Sequence, residues 1–332
     1  MGGFAFLPGG VNEEGDWTMD KIGLRQVLPD VFADNPPVGS EIWRRDVTFD
    51  KGRVYLVEAA SGSGKSSFCG YLYGYRRDYS GTILFDDYDI MRDRKAIRSI
   101  LGYLPQDFRF FEKLKTWEFL DYGAGLAGIK GTRKRSEVVD EMLRKVGLFE
   151  VRDRWANRLS GGMKRRLGIA QAIIGNPKVI IVDEPTTGLD PEERIRFRNI
   201  LSEVSDKDVI IILSTHIVGD ISSTCKKLAL LNKGQLKFEG SPDDMIELAK
   251  GKVWEIFVTN TELQEIKEKY PIISTIPSDG GWEIQVVAEG LDDYSGKPVM
   301  PNIEHAYVYF MDYLLKDKMD MYSEKIGGDL FQ

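Results

Sequence analysis

Three short apolar runs without alternation stand out along the chain: Arg53–Glu58 (RVYLVE), Val179–Asp183 (VIIVD) and residues 208–214 (DVIIILS). Unbroken runs of this kind are what parallel strands look like when helices cover both faces of a sheet. Helical patterns lie between them, over 164–174, where Gly175-Asn176-Pro177 stops the helix, and over 191–204. Strands interleaved with helices predict an α/β fold on a mostly parallel sheet. Each run ends in polar residues, at the sheet edge where such folds keep their ligand sites. Residues 107–165 break the alternation, with helices predicted over 114–126 and 136–146 and no strand between them. They read as a helical insertion in the sheet domain. After Gly251 the texture changes again: strands over 253–258 and 282–287 and helices over 262–270 and 303–315 predict a small α+β appendage. The chain thus divides into a flexible, Gly-rich and acidic extension (1–19), a main domain (20–250) and an accessory domain (251–332).

Composition narrows the function classes. The 332 residues carry 45 Lys+Arg against 52 Asp+Glu, a formal net charge of −7, which argues against a general nucleic-acid binder. With 42% hydrophobic residues the chain can bury a sizeable core, yet no apolar run approaches the roughly 20 residues of a membrane-spanning helix. Cys69 and Cys225 show no metal-type spacing and the only histidines are His216 and His305, which excludes a disulfide framework and argues against a Cys/His zinc site. The N-terminal MGGFAFLPGG has neither the positive nor the apolar segment of a secretory signal, and Phe6 replaces the Ser or Thr of a myristoylation motif. A reducing, cytoplasmic setting is expected.

The strand 53–58 runs into Ala59-Ala60-Ser61-Gly62-Ser63-Gly64-Lys65-Ser66-Ser67 and then a helical pattern. Successive backbone N–H groups ahead of a helix N-terminus cradle phosphate. Lys65 would reach the β- and γ-phosphates and the Ser66 hydroxyl would ligand Mg²⁺. Gly62 and Gly64 let the backbone approach without a Cβ in the way. The motif departs from the P-loop pattern at Ala59, where glycine is usual. The strand 179–183 delivers Asp183 and Glu184 together: Asp183 suits a Mg²⁺ bound through water, and Glu184 an attacking water. Gln106 could touch metal and water, although alone it reads as a surface Gln. His216 ends the third strand at Leu213-Ser214-Thr215-His216, and alone it reads as structural. Leu159-Ser160-Gly161-Gly162-Met163 precedes the helix 164–174 and forms a second anion site, with Ser160 as N-cap. Asp190-Pro191-Glu192-Glu193 reads as a capped helix start, with Glu193 closing a capping box. One nucleotide does not need two cradles on one chain, whereas two chains arranged head to tail do.

In that arrangement the sequence resembles ABC ATPases of the P-loop NTPase (RecA-like) fold. The resemblance covers a Walker A segment (59–67), a Q-loop (Gln106), an LSGGM signature, a Walker B with its following Glu (179–184), a D-loop (Gly188-Leu189-Asp190) and a switch His216. Lys65, Gln106, Ser160, Asp183 and His216 are spaced by 41, 54, 23 and 33 residues, in the family's order. It implies ATP and Mg²⁺ as ligands, with Ser61, Gly62, Ser63, Gly64, Lys65, Ser66 and Ser67 on the phosphates and Ser66, Gln106 and Asp183 toward the metal. Glu184, His216 and Gln106 would act in hydrolysis, and Ser160, Gly161, Gly162 and Asp190 across a homo- or heterodimer. Phe32 sits where the family's adenine-stacking ring belongs; a buried core Phe is the other reading. Gly102-Tyr103-Leu104-Pro105-Gln106, the stretch 117–122 and the tail segments 251–255 and 303–309 look like ATPase subunits of ABC-2-type multidrug exporters. This implies a cytoplasmic subunit, peripheral on the inner face of the membrane, driving a separate transmembrane permease. Phe108, Phe110, Phe111, Leu114 and Trp117 would either receive that partner or form a local core. Two other readings are a soluble ABC ATPase acting on nucleic acid or ribosomes, and an ATP-dependent regulator that does not hydrolyse.

Overall fold

The computed structural model describes residues 19, 21–29, 47–50, 53–58, 65–77, 79–108, 113–205, 209–215, 225–232, 235–292 and 294–315. It divides into two compact units, Met1–Glu239 and Gly240–Gln332.

In the first unit the three apolar runs form β3 (Arg53–Glu58), β7 (Val179–Asp183) and β8 (Ile210–Thr215), the centre of a six-stranded sheet. Its order is β10-β9-β3-β8-β7-β6, with β6 at Leu101–Leu104, β9 at Lys227–Asn232 and β10 at Gln235–Gly240. The pairs β6–β7, β7–β8, β8–β3 and β3–β9 are all parallel. Every residue of β7 and β8 is buried, which explains the unbroken apolar sequence. The register aligns Glu58 with Thr215 and Asp183 with Ser214, so the polar ends of the three strands share one edge.

A second, antiparallel sheet, β2-β1-β4-β5, is built from β1 (Lys21–Pro29), β2 (Val47–Asp50), β4 (Tyr79–Phe85) and β5 (Tyr88–Asp89). Ile22, Leu24, Phe49, Ile83 and Phe85 from this sheet pack with Phe68, Cys69, Tyr71 and Leu72 of α1 (Lys65–Tyr73). Val179, Ile181, Ile210 and Ile212 complete that core from one face of the parallel sheet. The alternate residues Ile180, Val182 and Ile211 are buried on the other face, as period-2 side-chain direction requires.

Helix α2 (Arg94–Ser99) precedes β6, and between β6 and β7 lie α3 (Thr116–Leu126), α4 (Thr132–Lys145) and α5 (Gly161–Ile173). Backbone bonds close this segment: Thr116 N–H donates to Arg154 O at 2.9 Å and Ala156 N–H to Leu114 O at 2.9 Å. Arg135 ties α4 to Asp121 of α3 at 2.9 Å. Phe108 meets Phe119 edge-on at 5.7 Å and lies against Gly168 of α5, so it belongs to the local core. Gly102 of β6 is required by close approach, since a Cβ there would lie 2.1 Å from the carbonyl oxygen of Ala172.

In the second unit, β11 (Val253–Val258), β12 (Ile272–Ser278), β13 (Gly281–Val287) and β14 (Gly296–Pro298) form an antiparallel sheet in the order β12-β13-β11-β14. Helix α7 (Pro242–Leu248) precedes this sheet, and helix α8 (Asn260–Lys269) contributes Ile266 to the core on one face of it, beside Ile256, Val258, Ile284 and Val286. Helix α9 (Ile303–Tyr309) continues into a π-helical turn, Phe310–Leu314. The strand β12 carries no clear pattern in sequence because only Ile272 is fully buried and Thr275, Ile276 and Pro277 are exposed in succession.

His305 of α9 is buried. Its Nδ1 accepts from Asn302 N–H at 3.1 Å, and its Nε2 stands 3.1 Å from Gln285 Oε1. This pattern needs the neutral ring, and burial holds its pKa below the ordinary 6.5, with Glu304 opposing. The folded state therefore takes up the proton less readily than the unfolded chain, so stability is complete above the ordinary value and is lost as pH falls below it. Hydrogen-exchange protection in β13 is expected to weaken as pH falls below about 6.5 once intrinsic exchange is corrected. His305→Gln should remove that dependence.

Candidate functional site

The site gathers at the polar edge of the parallel sheet. Cys69 of α1 lies under that edge: its thiol hydrogen-bonds Ser214, and its pKa is pushed well up by burial and by the nearby Asp183 carboxylate. One turn earlier, Ser66 Oγ is 3.4 Å from Gln106 Oε1, which brings the first turn of α1 to the end of β6. Asp183 is 2% exposed and its Oδ1 accepts from Ser214 Oγ.

Glu184 follows immediately and is also buried. It has φ +47°, in the left-handed region that costs a non-glycine residue about 1–2 kcal/mol. Its N–H donates to Ser214 O at 3.1 Å and to Ser214 Oγ at 3.0 Å. Thr187 Oγ1 donates to its Oε2 at 2.9 Å. Its carbonyl oxygen accepts from Arg165 Nη2 at 2.9 Å, while Arg165 Nη1 reaches Gln106 O at 2.9 Å and Pro105 O at 3.1 Å. Burial lowers the Arg165 pKa, and Asp183, Asp107 and Glu184 oppose that shift.

A second group lies at two helix starts. Ser160 caps α5, accepting from Met163 N–H at 3.2 Å. Ser160 and Gly161 are exposed and Gly162 is buried, its Cα facing the Glu193 side chain so closely that a Cβ would lie 2.6 Å from it. Glu193 belongs to α6 (Pro191–Ser205), capped by Asp190, whose Oδ1 accepts from Glu193 N–H at 2.8 Å. The sequence expectation that Glu193 closes a capping box needs correction: both its carboxylate oxygens accept from the buried Arg166, at 3.0 and 3.2 Å. Arg166 also donates to Val146 O at 2.8 Å and Gly147 O at 3.1 Å, joining the end of α4 to α5 and α6.

The structure thus brings Ser66, Gln106, Asp183 and Glu184 together, and separately Ser160, Gly161, Gly162 and Asp190. Ser67 is half-buried and its Oγ accepts from Arg76 Nη1 at 2.6 Å. Lys65 opens α1, but its side chain, together with Ser61, Gly62, Ser63, Gly64, Phe32, Phe110, Phe111 and His216, lies outside the described residues. Arg165, Ser214, Thr187 and Cys69 were not predicted as site residues. A hydroxyl, an amide oxygen and a carboxylate form a hard oxygen donor set, which fits Mg²⁺. Among the described residues no group of three His, Cys, Asp or Glu could hold a metal, so a cation here would also depend on a ligand's own oxygens.

Residues 44–187 match the family described as ABC transporter. The chain is 31% identical over 234 residues to the uncharacterized ABC transporter ATP-binding protein YxlF of Bacillus subtilis, covering 69% of this chain and 77% of that protein. It is 31% identical over 230 residues to the probable multidrug ABC transporter ATP-binding protein YbhF of Escherichia coli, covering 69% of this chain and 38% of that one. It is 31% identical over 266 residues to ABC transporter A family member 8 of Arabidopsis thaliana, where it covers 79% of this chain and 29% of the relative. The chain therefore spans well under half the length of several curated relatives. Its fold is shared with a solved ATP-binding subunit of an ABC transporter, with a TM-score of 0.60 at 23% identity over 70% of this chain and 93% of that one. It is also shared with the dimeric structure of MJ0796, a bacterial ABC transporter cassette, with a TM-score of 0.57 at 20% identity over 66% and 98% of the two chains.

Proposed function

The chain belongs to the ABC transporter ATP-binding family, and from that premise we propose that it hydrolyses the ATP it binds and powers a separate membrane subunit. The observation that carries the reading is the convergence of Ser66, Gln106, Asp183 and Glu184 at one sheet edge, with a second cradle at Ser160–Gly161–Gly162 on the same chain. Two chains facing each other would each place a nucleotide between one cradle and the partner's other cradle. Ser66, Gln106 and Asp183 would hold Mg²⁺, which supplies charge neutralisation at the phosphates. Glu184, with its backbone fixed on both sides, would take the proton of the attacking water, and Gln106 would orient that water. Lys65 would neutralise charge on the transferring phosphoryl group, and His216 would contact it. The units Met1–Glu239 and Gly240–Gln332 would serve as ATPase and accessory domains.

No helix among the described residues is long and apolar enough to cross a membrane, which fits a subunit that works through a partner on the inner membrane face. Transport, by this reading, is export. The partner would dock at a groove of about 320 Å³ lined by Tyr73, Arg98, Tyr103, Leu126, Gln171 and Pro177. Tyr73 stacks on Tyr103 at 4.6 Å and Arg98 covers Tyr73 at 5.9 Å, while Leu126 is 70% exposed beside them. An exposed leucine next to stacked aromatics is a surface that gains from being covered.

The tagged chain, purified from its native membranes in mild detergent, should bring down a polytopic membrane protein in stoichiometric amount. Leu126→Asp should reduce that recovery and leave the ATP turnover of the isolated chain unchanged. Recovery of ribosomal or nucleic-acid components instead would overturn the transporter reading.

A further inference from the structure

We propose that Arg165 is a positioning residue that sets the geometry of hydrolysis from the signature helix, holding the Gln106 loop and the Glu184 peptide in register through their backbones. The inference rests on the reading that Glu184 acts on the attacking water.

The geometry is specific. Arg165 stands in the second turn of α5, five residues after the exposed Ser160, and its side chain runs to the opposite side of the site. Its three hydrogen bonds all end on main-chain carbonyls, Pro105 at 3.1 Å, Gln106 at 2.9 Å and Glu184 at 2.9 Å. Two of these acceptors are the peptide oxygens of the two residues assigned to the water. A planar guanidinium with a rigid set of donors fixes the distance between its acceptors, which an ammonium on a flexible stem does not.

Glu184 has a reason to need this support. At φ +47° its backbone is held in a conformation that a non-glycine residue keeps only when its surroundings over-determine it. Ser214 fixes the N–H side of the residue and Arg165 the carbonyl side. The Glu184 carboxylate, the Gln106 amide and the Ser160 cradle therefore communicate through one side chain. A displacement of α5 when Ser160 engages an anion would be transmitted to both water-handling residues without any contact between Arg165 and the nucleotide.

The test compares wild type, Arg165→Met, which keeps length and loses all donors, and Arg165→Lys. For both variants, kcat for ATP should fall while KM stays within a few-fold, by about 10- to 100-fold for Met, since misplacement of order 1 Å costs about that much. Lysine should restore only a minor part of the loss. In a Glu184→Gln background, Arg165→Met should lower single-turnover hydrolysis clearly less than it does in the wild type, because the part of its effect that runs through the Glu184 carboxylate is already gone. Equal rates for wild type and Arg165→Met would overturn the inference alone. So would a loss that appears as raised KM with unchanged kcat, or one that persists in full in the Glu184→Gln background, as a general structural role requires. A wild-type chain that binds ATP without turnover overturns the hydrolytic reading and this inference with it.

Discussion

Glu184→Gln is expected to lower steady-state ATP hydrolysis by about 100- to 10,000-fold, the range for removing a positioned general base, while ATP affinity stays within a few-fold. The substitution is close to isosteric. The backbone contacts to Ser214 and Arg165 do not involve the carboxylate, and the Thr187 hydroxyl can still donate to an amide oxygen. What disappears is the capacity to accept a proton from water. Phosphate release at saturating ATP, read beside equilibrium nucleotide binding, separates the two effects. Near-normal turnover would refute the assignment, and loss of binding would place Glu184 in a structural role.

The largest effect on stability is expected at Arg166. Arg166 is 5% exposed and its guanidinium makes four hydrogen bonds, two to Glu193 and two to the carbonyls that end α4. Arg166→Leu leaves a largely buried carboxylate and two carbonyl oxygens without this partner, a change that costs about 3–5 kcal/mol for buried ion pairs. The double variant R166L/E193L should recover part of the loss, because it removes the stranded charge. Denaturant unfolding measures both. A loss no larger in Arg166→Leu than in R166L/E193L would show that the pair is not what holds α4, α5 and α6 together.

How much of this was legible depends on where each interaction is written. The strand β7 could be read because all five of its residues are buried, leaving no polar position to obscure the pattern. The antiparallel sheet could not: β4 buries only Ile83 and Phe85 and begins with Tyr79-Ser80-Gly81, none of them buried, and β1 pairs with it across a register shift between Arg25 and Leu28. The helix over 136–146 was expected to start later than α4 does, because Thr132, Arg133 and Lys134 offer no apolar face; Val139 and Leu143 supply the buried one.

At the site, Ser160, Asp183, Glu184 and Asp190 were readable from local chemistry: caps, a strand end and paired carboxylates. Arg165 was not, since its partners stand 59, 60 and 19 residues away and are main-chain atoms that carry no sequence signal. The left-handed backbone at Glu184 was equally hidden, because no glycine marks it. Glu193 was misassigned for a related reason. Its spacing from Asp190 satisfies the capping rule, but the buried Arg166 is the stronger partner for a carboxylate.

The central claim is that two chains close around ATP and that Glu184 then hydrolyses it. The most direct measurement is the molar mass of purified Glu184→Gln by light scattering, with MgATP, with MgADP and without nucleotide. The account predicts a mass that doubles with MgATP alone, together with a wild-type chain that turns ATP over and returns to the smaller species. A single mass under all three conditions, with ATP bound, would contradict it.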